Sequence, residues 1–132
     1  MESVTELRLV VTVDDYDAAL AFYRDALGLH EQAAYAAPNG GRVTLLDAGR
    51  ATIELADAAQ ADYIDEVEVG RRVAGKIRVA FEVGDAAAAA RRLAEAGAEV
   101  IAPPTRTPWN SLNARLTAPD GLQLTLFEEF GP

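Results

Sequence analysis

The chain is 132 residues long, half of it apolar, with a formal net charge of −9, one histidine and no cysteine. A chain of this size buries roughly two thirds of its unfolded surface, so one core in a single domain, or two small fused modules, is the limit. Disulfides, thiol catalysis and Cys-ligated zinc are excluded, as is any site needing two His ligands from one chain, and the acidity argues against nucleic acid as a partner. The sequence shows no N-terminal h-region and no run near the ~20 apolar residues of a membrane span, so a cytoplasmic location with no membrane partner is expected. An acidic surface keeps such a protein soluble; it also suits a cationic ligand.

Elements follow in chain order. From Glu6 to Val13 the residues alternate, with Leu7, Leu9, Val11 and Val13 on one face and Glu6, Arg8, Val10 and Thr12 on the other, the period of a half-buried strand. DYDAALAFYRDALG follows, with Asp15 as N-cap, Ala19, Phe22, Tyr23 and Leu27 at helical spacing and Gly28 as the stop, which predicts an amphipathic helix of about three turns. Three short strands fit 29–36, 41–47 and 50–56, with Asn39-Gly40 and Ala48-Gly49 as hairpin signals. The stretch 57–75 has no sustained periodicity and reads as a connector with room for one helical turn.

Then the order begins again. A strand over 76–83, a helix over 85–96 capped by Asp85 and stopped by Gly97, and a short strand at 98–102 ended by Pro103-Pro104 are expected. Strands over 111–117 and 122–130 follow, joined by the turn Ala118-Pro119-Asp120-Gly121. Val13 corresponds to Val83, Asp15 to Asp85, Ala19 to Ala89 and Arg8 to Arg78 at one constant offset, and Glu54 to Thr125 at one residue more. The chain is an internal duplication of a βαβββ unit: module 1 over 5–56, a connector over 57–75 and module 2 over 76–130, within one domain spanning 1–132. The expected fold is α+β, a curved mixed sheet around a cleft with the helices on its outer face. In module 2, Ile77, Val79, Phe81 and Val83 oppose Lys76, Arg78, Ala80 and Glu82, and Leu122, Leu124 and Leu126 oppose Gln123, Thr125 and Phe127. A helix covers only the apolar face. Arg8, Thr12, Glu54, Arg78, Glu82, Asn113, Arg115 and Thr125 are left to line the cleft.

This organisation, with the signatures DYDAALAFYRDALGL and APDGLQLTLFE, resembles the vicinal oxygen chelate superfamily of glyoxalase I, extradiol dioxygenases and the bleomycin- and fosfomycin-resistance proteins, over essentially the whole chain. In metal-dependent members, as the resemblance implies, the ligands come from the first and last strands of each module. Those positions fall on Arg8 and Arg78 and on Glu54 and Thr125. Arginine stays protonated and has no lone pair to offer a cation, so this set predicts no metal.

Two readings of the arginines stand side by side. They clamp an anionic group of a ligand, or they pair with Glu54 or Glu82 and plug an abandoned site. Trp109 either stacks on a planar ligand or anchors the proline-rich loop, and Tyr35 reads similarly. His30 suits the end of the helix stopped by Gly28 and is read as structural. The alanine run 86–90 is a close-packed helix face. Ser3 and Ser111 lack the His and Asp of a hydrolase triad, and no nucleotide-binding glycine motif is present, so no cofactor is expected.

The leading expectation is a metal-free protein of the bleomycin-resistance type, a homodimer binding a planar metabolite or antibiotic through Arg8, Glu54, Arg78, Trp109, Asn113 and Thr125. The alternatives are a metal-independent enzyme of isomerase or lyase type, with Glu54 as acid or base and Arg8 and Arg78 as substrate anchors, and a fold kept for protein interaction alone.

Overall fold

The computed structural model describes residues 4–119 and 121–131; Ser3 and the turn residue Asp120 lie outside the described residues. The two strands that carry the repeated arginines, β1 (Glu6–Val13) and β5 (Ile77–Glu82), run side by side and antiparallel, with Leu9 opposite Val79. Around that pair the molecule is nearly two-fold symmetric. Module 1 adds β2 (His30–Ala36), β3 (Arg42–Ala48) and β4 (Ala51–Asp57); module 2 adds β6 (Glu99–Arg106), β7 (Ser111–Thr117) and β8 (Gln123–Glu129). The eight strands form one sheet in the order β2-β3-β4-β1-β5-β8-β7-β6. Within each module the first and last strands are parallel neighbours, Val10 beside Glu54 and Ala80 beside Thr125, which is the residue correspondence of the internal repeat. The modules therefore meet within one chain.

Asp15 and Asp85 cap their helices as expected, accepting from the backbone N–H of Ala18 and Ala88. The helix α3 (Ala86–Glu95) lays Ala86, Ala89 and Ala90 on the convex face of module 2, against Val83, Ala114, Leu116 and Leu126. Small side chains let it approach the sheet closely. Its counterpart α1 (Tyr16–Leu20) widens into π-helical turns over Ala21–Ala26. It buries Tyr16, which is hydrogen-bonded to Thr44 on β3, but leaves Phe22 60% and Leu27 61% exposed. The predicted buried stripe of this helix is thus corrected: the helical spacing is real, but the widened turns carry those two side chains away from the sheet.

Two further expectations change. The strand ended by Pro103-Pro104 instead continues to Arg106, with its register against β7 shifting between Ala102 and Thr105; at a sheet edge the missing N–H groups of proline break no ladder that a second neighbour needs. The connector holds an eleven-residue helix, α2 (Ala58–Glu68), capped by Asp57, whose side chain accepts from Gln60 N at 2.8 Å. This helix lies on the concave face, so the helices are not all outside. Its buried set, Gln60, Ala61, Ile64, Asp65 and Glu68, does follow a helical period. An apolar count misses it because most of those residues are polar.

The turn between β2 and β3 holds the start of α2 in place. Asn39 Nδ2 donates to Ala59 O at 2.6 Å, and Gly41 sits so close that a Cβ there would stand 2.4 Å from Gln60 N. Only glycine fits. The far end of α2 is held by module 2, through the buried pairs described below.

Candidate functional site

Between the concave face and α2 lies a cavity of about 450 Å³. All six residues predicted to bind a ligand, Arg8, Glu54, Arg78, Trp109, Asn113 and Thr125, line it, and so does Tyr35. Thr12, Glu82 and Arg115, also expected on the cleft face, do not line it. His30 is exposed on β2, away from the cavity.

The floor is set by strand register. Glu54, Val10 and Arg78 occupy one row across β4, β1 and β5, and Arg8, Ala80 and Thr125 the next row across β1, β5 and β8. Arg78 is 7% exposed, and its Nη1 donates to Thr125 Oγ1 at 2.9 Å. Among the described residues no carboxylate lies within ion-pair distance of it. Burial presses its pKa down from the ordinary arginine value, a pull that the more distant Glu68 and Glu54 oppose. The guanidinium stays charged all the same. Such a group is expensive to bury without a counter-charge.

Glu54 is buried with no hydrogen bond among the described residues, and its nearest cation is Arg8 Nη1 at 3.9 Å. Burial raises its pKa above the usual carboxylate value, against the opposing pull of Arg78 and Arg8. Arg8 is surrounded quite differently. Its Nε meets Glu6 at 2.9 Å, its Nη2 meets Glu129 at 3.3 Å, and its guanidinium lies 4.7 Å from the centre of the Phe127 ring. Neither arginine is paired with Glu82, so that part of the plug reading is corrected. Glu82 stands opposite Glu6, at the far end of the β1–β5 pair from Arg78.

Arg115 is wholly buried rather than cleft-lining: its Nη1 meets Asp65 at 2.7 Å and its Nη2 meets Glu68 at 2.9 Å, both carboxylates coming from α2. Glu68 also accepts from Asn113 Nδ2 at 2.8 Å, and Asn113 in turn accepts from Ser111 Oγ at 2.7 Å. Asp65 accepts backbone N–H bonds from Val73 and Ala74, each at 2.7 Å. Burial would raise the Asp65 pKa, but the Ala74 N–H, Arg115 and the Val73 N–H outweigh it and hold the carboxyl below its ordinary value. Asn113 therefore anchors the helix as well as lining the cavity. The connector had supplied none of the predicted site residues, yet Gln60, Tyr63, Ile64 and Glu68 of α2 form one wall. The one signal for them was Asp57 as an N-cap three residues before Gln60.

At the mouth Trp109 is 43% exposed and lies 5.9 Å from the Tyr63 ring centre. Tyr35 and Pro38 stand on the module 1 side, and Val43, Leu45, Ala80 and Phe127 give the interior an apolar lining. The site is thus a pocket with an aromatic entrance and a charged floor.

A profile of the Glyoxalase/Bleomycin resistance protein/Dioxygenase superfamily matches residues 7–126. The chain belongs to this superfamily. Among solved structures, methylmalonyl-CoA epimerase from Mycobacterium tuberculosis is similar at TM-score 0.70 and 24% identity, covering 97% of this chain and 90% of that one. A variant methylmalonyl-CoA epimerase from Streptomyces coelicolor, in complex with 2-nitronate-propionyl-CoA, is similar at TM-score 0.69 and 22% identity over 98% of this chain and 100% of that one. A hypothetical protein from Bacillus halodurans C-125 reaches TM-score 0.73 at 18% identity, over 99% and 96% of the two chains. At these identities the likeness is one of fold. No curated protein matches the sequence. This superfamily member does not carry a donor set for a divalent metal: two of its four equivalent positions are guanidinium groups, a third is a hydroxyl, and no three His, Asp or Glu side chains gather as ligands among the described residues.

Proposed function

We propose that the chain is a metal-free small-molecule-binding protein of the glyoxalase/bleomycin-resistance type, which sequesters a planar metabolite or antibiotic bearing an anionic group. The observation that carries this reading is Arg78, a buried guanidinium with one hydroxyl partner and, among the described residues, no carboxylate within ion-pair distance, on the floor of a cavity of about 450 Å³. That volume lies in the range of about 300–1,000 Å³ usual for ligand sites. A carboxylate, phosphate or phenolate entering the cavity supplies the missing counter-charge, and a charge-assisted hydrogen bond there is worth about 1.5–3 kcal/mol. Trp109, Tyr63 and Tyr35 offer ring faces to a planar body. The test is a thermal-shift screen of planar anions, cations and neutral analogues. Anions at 100 times their dissociation constant should stabilise the protein by about 2.7 kcal/mol. A screen in which only cations stabilise, equally in the parent and in Arg78→Met, overturns the reading.

Glu54 favours a second reading, a metal-independent isomerase or lyase. A buried carboxyl with a raised pKa and no hydrogen bond among the described residues has the character of a general acid or base, with Arg78 and Arg8 placed to hold a substrate anion. Turnover that vanishes in Glu54→Gln while binding persists assigns the chain to that class. We also propose a homodimer. Along the convex side of the β1–β5 pair, Leu7 stands opposite Phe81 and Val11 opposite Ile77, between α1 and α3; Leu7 and Ile77 are exposed. Such a stripe suits an isologous contact. Light scattering should give twice the chain mass of 14.0 kDa, and Leu7→Lys should halve it.

A further inference from the structure

Trp109, the only tryptophan of the chain, stands at the cavity mouth on the turn between β6 and β7. The residue after it, Asn110, has φ 64°; every other positive φ among the described residues belongs to a glycine. Asn110 N–H donates to Thr107 O at 3.2 Å and Thr107 N–H to Ser111 O at 2.9 Å, which closes the turn around Pro108 and Trp109. Hairpin loops of this kind need a left-handed residue in that place, and glycine fills it at no steric cost. Asparagine tolerates the same conformation and adds an amide.

That amide ties the turn to the end of β8. Its Oδ1 accepts from Arg106 Nη2 at 2.6 Å, and its Nδ2 donates to Phe130 O at 2.9 Å and Gly131 O at 3.2 Å. The Asn110 carbonyl accepts from Phe130 N–H at 3.1 Å, and the Arg106 guanidinium lies 4.1 Å from the centre of the Phe130 ring. The same strand places Thr125 and Phe127 on the cavity floor, so β8 sets both the floor and, through Asn110, the position of Trp109 above it. From the opposite wall Tyr63 of α2 meets the indole. An indole held from two sides, with part of its face still free, needs little ordering when a flat ligand arrives, and such preorganisation appears as affinity.

We propose that Asn110 is a positioning residue, which acts through Trp109 to make the site select aromatic acids over saturated acids of the same charge. This rests on the anion-binding reading above and narrows it. Arg78 attracts both kinds of acid alike, and the ring face supplies the difference.

The probes are 2-naphthoate and its saturated counterpart, decahydro-2-naphthoate. In titration calorimetry of the full chain, 2-naphthoate should bind at least about fivefold more tightly. Asn110→Gly, which keeps the turn and loses the amide, should remove most of that preference while the affinity for decahydro-2-naphthoate stays within about twofold. In a Trp109→Leu background the same substitution should change neither affinity, as expected of a residue that acts through another. Without ligand, the tryptophan emission of Asn110→Gly should be less anisotropic and more readily quenched by acrylamide than the parent's, at an unchanged far-ultraviolet circular dichroism spectrum. Asn110→Gly with the parent's preference and the parent's quenching overturns the role of Asn110 and leaves the anion site standing. An equal loss of affinity for both acids overturns it too, since that is the mark of a purely structural residue. Binding of neither acid by the parent overturns the anion site and this inference together.

Discussion

Arg8 and Arg78 occupy the same place in two copies of one structural unit, yet their surroundings are opposite. Arg8 has Glu6 and Glu129 at salt-bridge distance, Glu54 at 3.9 Å and an aromatic ring against its face. Among the described residues Arg78 has one hydrogen-bond partner, the Thr125 hydroxyl, with Glu68 and Glu54 beyond ion-pair distance. The difference arises partly at the equivalent last-strand position, where module 1 keeps a carboxylate, Glu54, and module 2 a hydroxyl, Thr125. It arises also from α2, which has no repeat partner: its two carboxylates near module 2 are taken up by Arg115, not by Arg78. Duplication preserves where a side chain stands on a sheet, and the company it keeps then decides whether it holds the fold together or awaits a ligand.

Substitution can break that contrast, and the largest effect should come from Arg115. Arg115→Met removes the buried cation from Asp65 and Glu68, leaving Asp65 with Arg72 and two backbone N–H groups and Glu68 with Asn113, and should cost about 3–5 kcal/mol in urea denaturation. A loss under 1 kcal/mol would mean that the buried pairs do not hold α2. Next comes Arg78→Met, expected to weaken binding of a planar anion at least tenfold while stability moves by no more than about 1–2 kcal/mol, since apolar replacements of buried charges are often tolerated. Arg8→Met should change the same affinity by less than about fivefold, because a partly exposed group already neutralised by neighbours has little left to offer. If Arg8 proved the more sensitive of the two, the contrast would be reversed.

The subtlest effect is a dependence on pH. The folded-state pKa of Glu54 lies above its unfolded value, so this group's contribution to stability is fully present below the unfolded pKa and is lost as pH rises through the folded value. At pH 7 the ionised carboxylate is therefore a liability, and Glu54→Gln should melt at a higher temperature than the parent. The gap should close as pH falls toward 4. Asp65 runs the other way: its depressed pKa adds stability that is present above the unfolded value and disappears in stronger acid. A gap that widened on acidification would place the Glu54 shift in the wrong direction.

The duplication, the strand order and the residues on the cavity floor were legible because they rest on alternation and on a repeated offset, both of which register preserves. Trp109 and Tyr35 were legible as aromatics in loops and strand ends beside that floor. The wall formed by α2 was not, because its buried face is Gln60, Asp65 and Glu68 around Ile64, and pattern reading equates buried with apolar. Arg115 misled for a related reason: strand parity told which face it occupies, but not that a helix would seal that face. Phe22 and Leu27 mislead in the opposite sense: they stand at helical spacing, but in and just after the widened turns they are exposed rather than buried.

The helix α2 also bears on how the molecule assembles. Its first turn is held by the Asn39–Gly41 turn of one half and its last turn by Arg115 of the other, so it braces two units that otherwise meet along the β1–β5 ladder and where Arg8 reaches Glu129 and Phe127. Tandem repeats joined by one strand pair can melt one after the other. A cross-brace anchored at both ends makes the loss of either half release the helix and with it the other, which favours a single cooperative transition and matched amide-exchange protection in β4 and β8.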